Sequence, residues 1–155
     1  VEGAFDRIVS IEMFEAVGQA YWQTYFESVS RLLKRGGRAA LQAITIEEHA
    51  FEEYRQNPDF IQRYIFPGGM LPGLGVFKQA VTAASLAITD HFTFGPSYGE
   101  TLRRWDTAFQ NAWPEIKALG FDDRFYRMWR YYLCYCEVGF DTGRIDVAHF
   151  TLKHA

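Results

Sequence analysis

Two adjacent glycines, Gly36 and Gly37, separate an amphipathic segment from an apolar run, and a second apolar run lies upstream of both. From about Ala20 to Leu33 the positions Tyr21, Tyr25, Val29, Leu32 and Leu33 recur at helical spacing, as on the buried face of an α-helix. Lys34 and Arg35 suit a helix C-terminus, and the glycine pair is expected to give that helix its left-handed stop. The flanking runs FDRIVSI (5–11) and RAALQAITI (38–46) are short, apolar and β-branched. The first is expected to be a strand buried on both faces, as in a parallel sheet. Strand, helix, glycines, strand is a right-handed βαβ unit, and the fold class is therefore α/β.

Downstream the pattern changes. Residues 47–64 are helical with a break at Asn57-Pro58, and a loop rich in glycine and proline runs from Phe66 to Gly75. Helices are expected at 76–85 and 98–112, a short one from Pro114, and a long aromatic one at 122–139. Strands are expected at 86–94 and 144–152. The whole gives a mixed sheet of about four strands in one domain portion spanning residues 1–155. There is no G-x-G-x-x-G turn, the usual phosphate-binding signal beside the first strands of such sheets.

Composition narrows the function classes. The net charge of −3 and pI near 5.8 speak against a nucleic-acid partner held by bulk attraction. No run approaches the roughly 18–20 apolar residues needed to span a bilayer. The two cysteines, Cys134 and Cys136, are too close to build a disulfide framework, which points to a reducing, cytoplasmic compartment. Neither signal peptide nor basic targeting run is visible, and the start at Val1 almost directly on a strand suggests a fragment. His49, His91, His149 and His154 show no metal spacing and are expected to be structural or exposed.

Five segments resemble the cyclopropane-fatty-acyl-phospholipid synthase and mycolic acid cyclopropane synthase family, in the family's order. They are FDRIVSIEMFEAVG (5–18), LKRGG (33–37), YIFPGGMLP (64–72), FGPSYGETLRRW (94–105) and RYYLCYCE (130–137). LKRGG is weak evidence, the proline-glycine string is specific, and together they cover essentially the whole chain. The resemblance implies the C-terminal part of a class I S-adenosylmethionine-dependent methyltransferase, a Rossmann-like fold with an antiparallel last strand pair and inserted helices. Its early strands and glycine-rich cofactor loop would precede Val1, so this chain alone is expected to bind S-adenosylmethionine weakly or not at all.

The implied reaction is methylene or methyl transfer to the double bond of an unsaturated phospholipid acyl chain, giving a cyclopropane fatty acid. The enzyme would work at the inner membrane face as a peripheral protein. The family's base is a bound bicarbonate ion. Carried over residue by residue, the resemblance places bicarbonate-binding groups at Glu15, Gln42, Ile44 (through its backbone) and Tyr98. Gln42 stands where the family has His, so it can donate an amide N–H but cannot titrate. Glu15 and Tyr98 would also be catalytic, and Ile11 would abut the cofactor's adenosine side. Cys136 matches a cysteine counted among the family's active-site residues, while its aromatic and apolar helix neighbours favour an inert, packed thiol.

Each position also has a plainer reading. Glu15 could be a helix-capping carboxylate, Tyr98 a helix-start aromatic, Gln42 a strand residue bonded to a loop, and Ile11 a core residue. The rows Phe121, Phe125, Trp129, Tyr132 and Leu102, Trp105, Phe109 are core faces or the lining of an acyl tunnel. The loop carrying Phe66, Met70, Leu71, Leu74 and Phe77 is either a lipid-contacting surface or a packed lid. The open edge of the first strand is expected to promote self-association. Alternatives to the enzyme are a catalytically inactive fragment, a lipid-binding remnant, or an unrelated α/β interaction domain.

Overall fold

The computed structural model describes residues 2–155. Four strands form one sheet: β1 (Phe5–Ile11), β2 (Leu33–Ile46), β3 (Leu86–Thr93) and β4 (Ile145–His154), in the order β1-β2-β4-β3. β1 runs parallel to β2, whereas β4 is antiparallel to both β2 and β3. The helices are α1 (Phe14–Val17), α2 (Trp22–Leu32), α3 (Glu48–Gln56), α4 (Phe60–Tyr64), α5 (Leu74–Ala83), α6 (Gly95–Asn111), α7 (Trp113–Ala118) and α8 (Asp123–Asp141). The α/β class, the mixed four-stranded sheet and the antiparallel last pair are as the sequence predicts.

Period-two alternation divides β2 between two cores. Ala39, Leu41 and Ala43 face α2 and α5, where Phe14, Trp22, Phe26, Phe77, Val81 and Phe150 close a dry aromatic cluster. Ile44 faces the other way, toward Leu102 of α6 and Leu133 and Phe140 of α8. α8 begins at an Asp122 N-cap, whose carboxylate accepts from the Phe125 amide at 2.8 Å. Pro114 lies in the first turn of α7, where its missing N–H costs nothing.

Two expectations are corrected. β1 is not buried on both faces: Val9 is 69% and Ile11 63% exposed. Only Ile8 and Ser10 face a covering helix, Ile8 in the aromatic core and Ser10 through the Tyr25 hydroxyl at 2.7 Å. The other face of β1 carries no helix, and β1 is an edge strand. The glycine pair is not the stop of α2 either. That helix ends at Leu32, and Leu33 is already extended and paired with Phe5. Gly36 and Gly37 instead form a bulge inside β2, where the register jumps from Phe5↔Leu33 to Arg7↔Arg38. Gly36 sits at φ +78°, and a Cβ on Gly37 would lie 3.0 Å from the Asp6 carbonyl oxygen. The strand–helix–strand unit survives because the apolar period, not the glycines, specifies it.

Candidate active site

The pairing of β1 with β2 stops at Gln42, while β2 continues to Ile46. The final rung is Ile11↔Gln42, and the Glu12 amide extends it by donating to the Gln42 carbonyl at 2.9 Å. Past that point β2 has lost its parallel neighbour, so the Ile44 amide has no strand acceptor on that side. Glu15 fills the place: its Oε1 accepts from the Ile44 amide at 2.5 Å.

The short helix α1 makes this possible by anchoring Phe14, which is 1% exposed and lies 5.2 Å from the rings of Trp22, Tyr25 and Phe26. The Glu15 carbonyl is held in turn by the Met70 amide at 2.9 Å. Glu15 Oε2 is buried with no hydrogen-bond partner. Burial therefore pushes the Glu15 carboxyl above its usual range, against the opposing pull of the Ile44 N–H.

Beside it runs a row of polar side chains. Gln42 Nε2 donates to Glu12 Oε1 at 2.8 Å and to the Tyr98 hydroxyl at 2.6 Å. The Tyr98 hydroxyl donates onward to the same Glu12 oxygen. Gln42 Oε1 lies 2.8 Å from Nε2 of His149, its direct partner across the β2–β4 ladder. With the proton on that nitrogen, donation runs one way from His149 through Gln42 and Tyr98 to Glu12.

Tyr98 is delivered by the start of α6. The Gly95 amide donates to Asp146 Oδ1 at 2.8 Å, and a Cβ on Gly95 would meet that same oxygen at 2.6 Å. A side chain at that position would have to displace the Asp146 carboxylate that ties the helix start to β4. Burial and the Glu12 carboxylate hold the Tyr98 phenol far above its ordinary range, and the Glu15 charge adds to the shift. Glu15 and Tyr98 thus stand at one end of the sheet, together with Gln42 and the Ile44 amide. They do not lie on opposite sides of the molecule.

Ile11 is the last residue of β1, exposed beside Glu12. Cys136 packs with the α6/α8 core, and burial raises its thiol to about 12, so it stays protonated near neutrality. From Phe121, just before α8, through Phe125, Trp129 and Tyr132 on it, the rings follow one another at centroid separations of 4.5, 5.8 and 5.0 Å. The inner end of this row is Tyr132, whose phenol is pushed to about 12 by burial and feels the Glu12 charge.

In the glycine-proline loop Met70 and Leu71 lean on the aromatic core and Phe66 is exposed, while Leu74 and the buried Phe77, expected on that loop, lie in α5 and pack on the same core. The loop is a packed lid with one outward ring, 6.2 Å from Tyr132. Among the described residues no group of three or more His, Cys, Asp or Glu could hold a metal ion. Among the described residues no helix is long and apolar enough to cross a membrane.

Two members of the polar row were not singled out from sequence. Glu12 lies three residues before Glu15, a spacing that could have drawn attention to paired carboxylates at a strand end. His149 was expected to be structural or exposed. Its link to Gln42 spans 107 residues of sequence, and no local signal carries it.

Residues 1–150 match the family model described as mycolic acid cyclopropane synthetase. The chain is 42% identical over 153 residues to the tuberculostearic acid methyltransferase of Mycobacterium tuberculosis, covering 98% of this chain and 36% of that protein. It is 40% identical over 143 residues to the cyclopropane-fatty-acyl-phospholipid synthase of Escherichia coli K12, covering 92% of this chain and 36% of that protein. The chain thus spans about a third of the length of these curated relatives.

Among solved structures it resembles mycolic acid cyclopropane synthase CmaA1 complexed with SAH and CTAB, with TM-score 0.87 and 30% identity over 98% of this chain and 56% of that one. It also resembles the cyclopropane synthase MmaA2 of Mycobacterium tuberculosis, with TM-score 0.88 and 28% identity over the same shares.

Proposed function

Because this chain belongs to the mycolic acid cyclopropane synthetase family, with the Rossmann-like methyltransferase fold of its structural neighbours, we propose that it carries the acyl-facing part of a lipid-alkylating enzyme. The reaction is methylene or methyl transfer from S-adenosylmethionine to the double bond of an unsaturated acyl chain. A single observation carries this reading: two carboxylates and a phenol converge at the carboxyl end of β1, and that phenol, Tyr98, packs against the same cluster as Tyr132 of the aromatic row. Open α/β sheets place ligands at that end of their strands. The phospholipid form of the substrate draws support from the name of the Escherichia coli relative. Peripheral contact with the inner membrane face draws support from the exposed Phe66 ring beside Tyr132.

S-adenosylmethionine would supply an electrophilic methyl on a cationic sulfur. Ile11 offers an exposed apolar side chain at the end of β1, which fits the edge of an adenosine. Phe125, Trp129 and Tyr132 would exclude water from the acyl chain and present flat faces to transient positive charge. Glu15 and Glu12 would place negative potential where that charge develops. Cys136, protonated and packed, serves the core.

Bicarbonate does not fit the residues as they stand. Of the donors expected to bind it, the Gln42 amide and the Tyr98 hydroxyl are engaged by Glu12, and the Ile44 amide by Glu15.

The test is lipid mass spectrometry of a host that lacks such an enzyme and expresses the full-length gene. The expected result is unsaturated acyl chains heavier by one methylene. An unchanged lipid profile, with the protein present and folded, overturns the reading.

A further inference from the structure

We propose that the carboxylate of Glu12 is itself the resident anion of this site and the base that takes the proton released on ring closure. This rests on the alkylation reading above and assigns its base to a residue of the chain. Two of the donors at the site, the Gln42 amide and the Tyr98 hydroxyl, converge on one oxygen, Glu12 Oε1. The third donor, the Ile44 amide, is already held by Glu15. Glu12 Oε2 makes no hydrogen bond among the described residues and is left as the free acceptor.

The backbone supports the same assignment. Glu12 sits at φ +49°, left-handed space that L side chains seldom occupy. Its amide is pinned to the Gln42 carbonyl at 2.9 Å, so the side chain is presented at that point. Strained positions that the surroundings hold in place concentrate at functional sites. The direction of the row agrees too. His149 takes up the Gln42 carbonyl oxygen, so the Gln42 N–H groups turn toward Tyr98 and Glu12. The flipped amide would set its oxygen against the Glu12 carboxylate. His149 is thereby a positioning residue for Gln42.

The step balances without a further reactant. The alkene π pair forms a bond to the methyl carbon, and the carbon–sulfur pair stays on sulfur. The cationic acyl carbon is then closed by the C–H pair of the new methyl group, whose proton passes to Glu12 Oε2 and on to water. Protons beside a carbocation are acidic enough for a carboxylate to accept them.

The experiment uses the full-length protein in native form and as Glu12→Gly, which removes the carboxylate and suits the left-handed backbone. Native turnover should be the same in bicarbonate-free buffer and with millimolar bicarbonate. Glu12→Gly should fall by about 10²-fold, the range for loss of a general base, and millimolar formate or bicarbonate should restore part of the rate. Carbon-13-labelled bicarbonate should show line broadening with Glu12→Gly and none with the native protein.

A native rate that climbs saturably with bicarbonate, broadening with the native protein, or full activity of Glu12→Gly without added anion would each overturn the proposal. If no form alkylates any lipid, the alkylation reading fails, and the carbon-13 measurement still decides whether Glu12 fills the anion site.

Discussion

On the face of the sheet covered by α2 and α5, Phe14, Phe26, Phe77 and Phe150 pack ring against ring and none is more than 1% exposed. On the face covered by α6 and α8, Phe109, Trp129 and Tyr132 stay partly open and pack against the same buried cluster as Tyr98, the phenol of the polar row. Both faces are aromatic, so residue type does not separate them. What separates them is whether polar atoms reach in. Among the described residues the first face has the orphaned Trp22 Nε1, the Tyr25–Ser10 contact and the Tyr54 hydroxyl, which accepts from the Leu71 amide. The second holds the Glu12, Gln42, Tyr98 and His149 network, with the buried Glu15 oxygen beside it. A dry ring cluster stabilises the sheet, and the half-open one sets partly exposed rings on the face that carries the polar row.

This contrast predicts opposite responses to truncation. Phe77→Ala should cost about 3–5 kcal/mol of stability by leaving a cavity in the dry face, read as a lower denaturant midpoint, with specific activity per folded molecule retained. A loss below about 1 kcal/mol would break the contrast from that side.

Glu15→Gln should do the reverse, lowering turnover by about 10²–10³-fold, the range for removing one electrostatic contact to a transition state. Its effect on stability should be neutral or favourable. Burial raises the Glu15 carboxyl in the folded state, so the folded protein holds that proton to higher pH than the unfolded chain. The Glu15 contribution to stability is accordingly largest below the usual carboxyl range and falls as pH rises through the raised value. Glu15→Gln should flatten that part of the pH–stability curve. Equal losses of melting temperature and rate would mark Glu15 as structural.

The smallest effect belongs to the half-open face. Trp129→Ala should cost about 1–2 kcal/mol of stability, less than Phe77→Ala because its area is only partly buried. It should raise KM for the acyl substrate more than it lowers kcat. An unchanged KM would return the α8 aromatic row to the role of plain core.

The division between the faces also marks what the sequence could disclose. β1, α2 and the start of β2 were legible because their apolar periods are local. The exposure of Val9 and Ile11 was not, since burial depends on whether a helix covers that face of β1. The Gly36-Gly37 pair was visible as a break, but its assignment to the end of α2 failed. Leu33 is claimed by pairing with Phe5 before the glycines are reached, and tertiary pairing overrides the capping preference. Glu15, Gln42, Ile44 and Tyr98 were reached through motifs. Glu12 was passed over because nothing local tells that a residue at a strand end takes left-handed space. His149 was passed over because the Gln42↔His149 register exists only once β4 has folded back onto β2.

The central claim is that the carboxylates and the Tyr98 phenol form one functional unit at the end of β1. A double-mutant cycle on turnover in the full-length enzyme, pairing Glu12→Gln with Tyr98→Phe, tests it most directly. Directly bonded members of one network should show a coupling of at least about 1 kcal/mol, with the double variant little slower than the worse single one. Additivity within about 0.3 kcal/mol, with the two losses simply multiplying, would contradict the account.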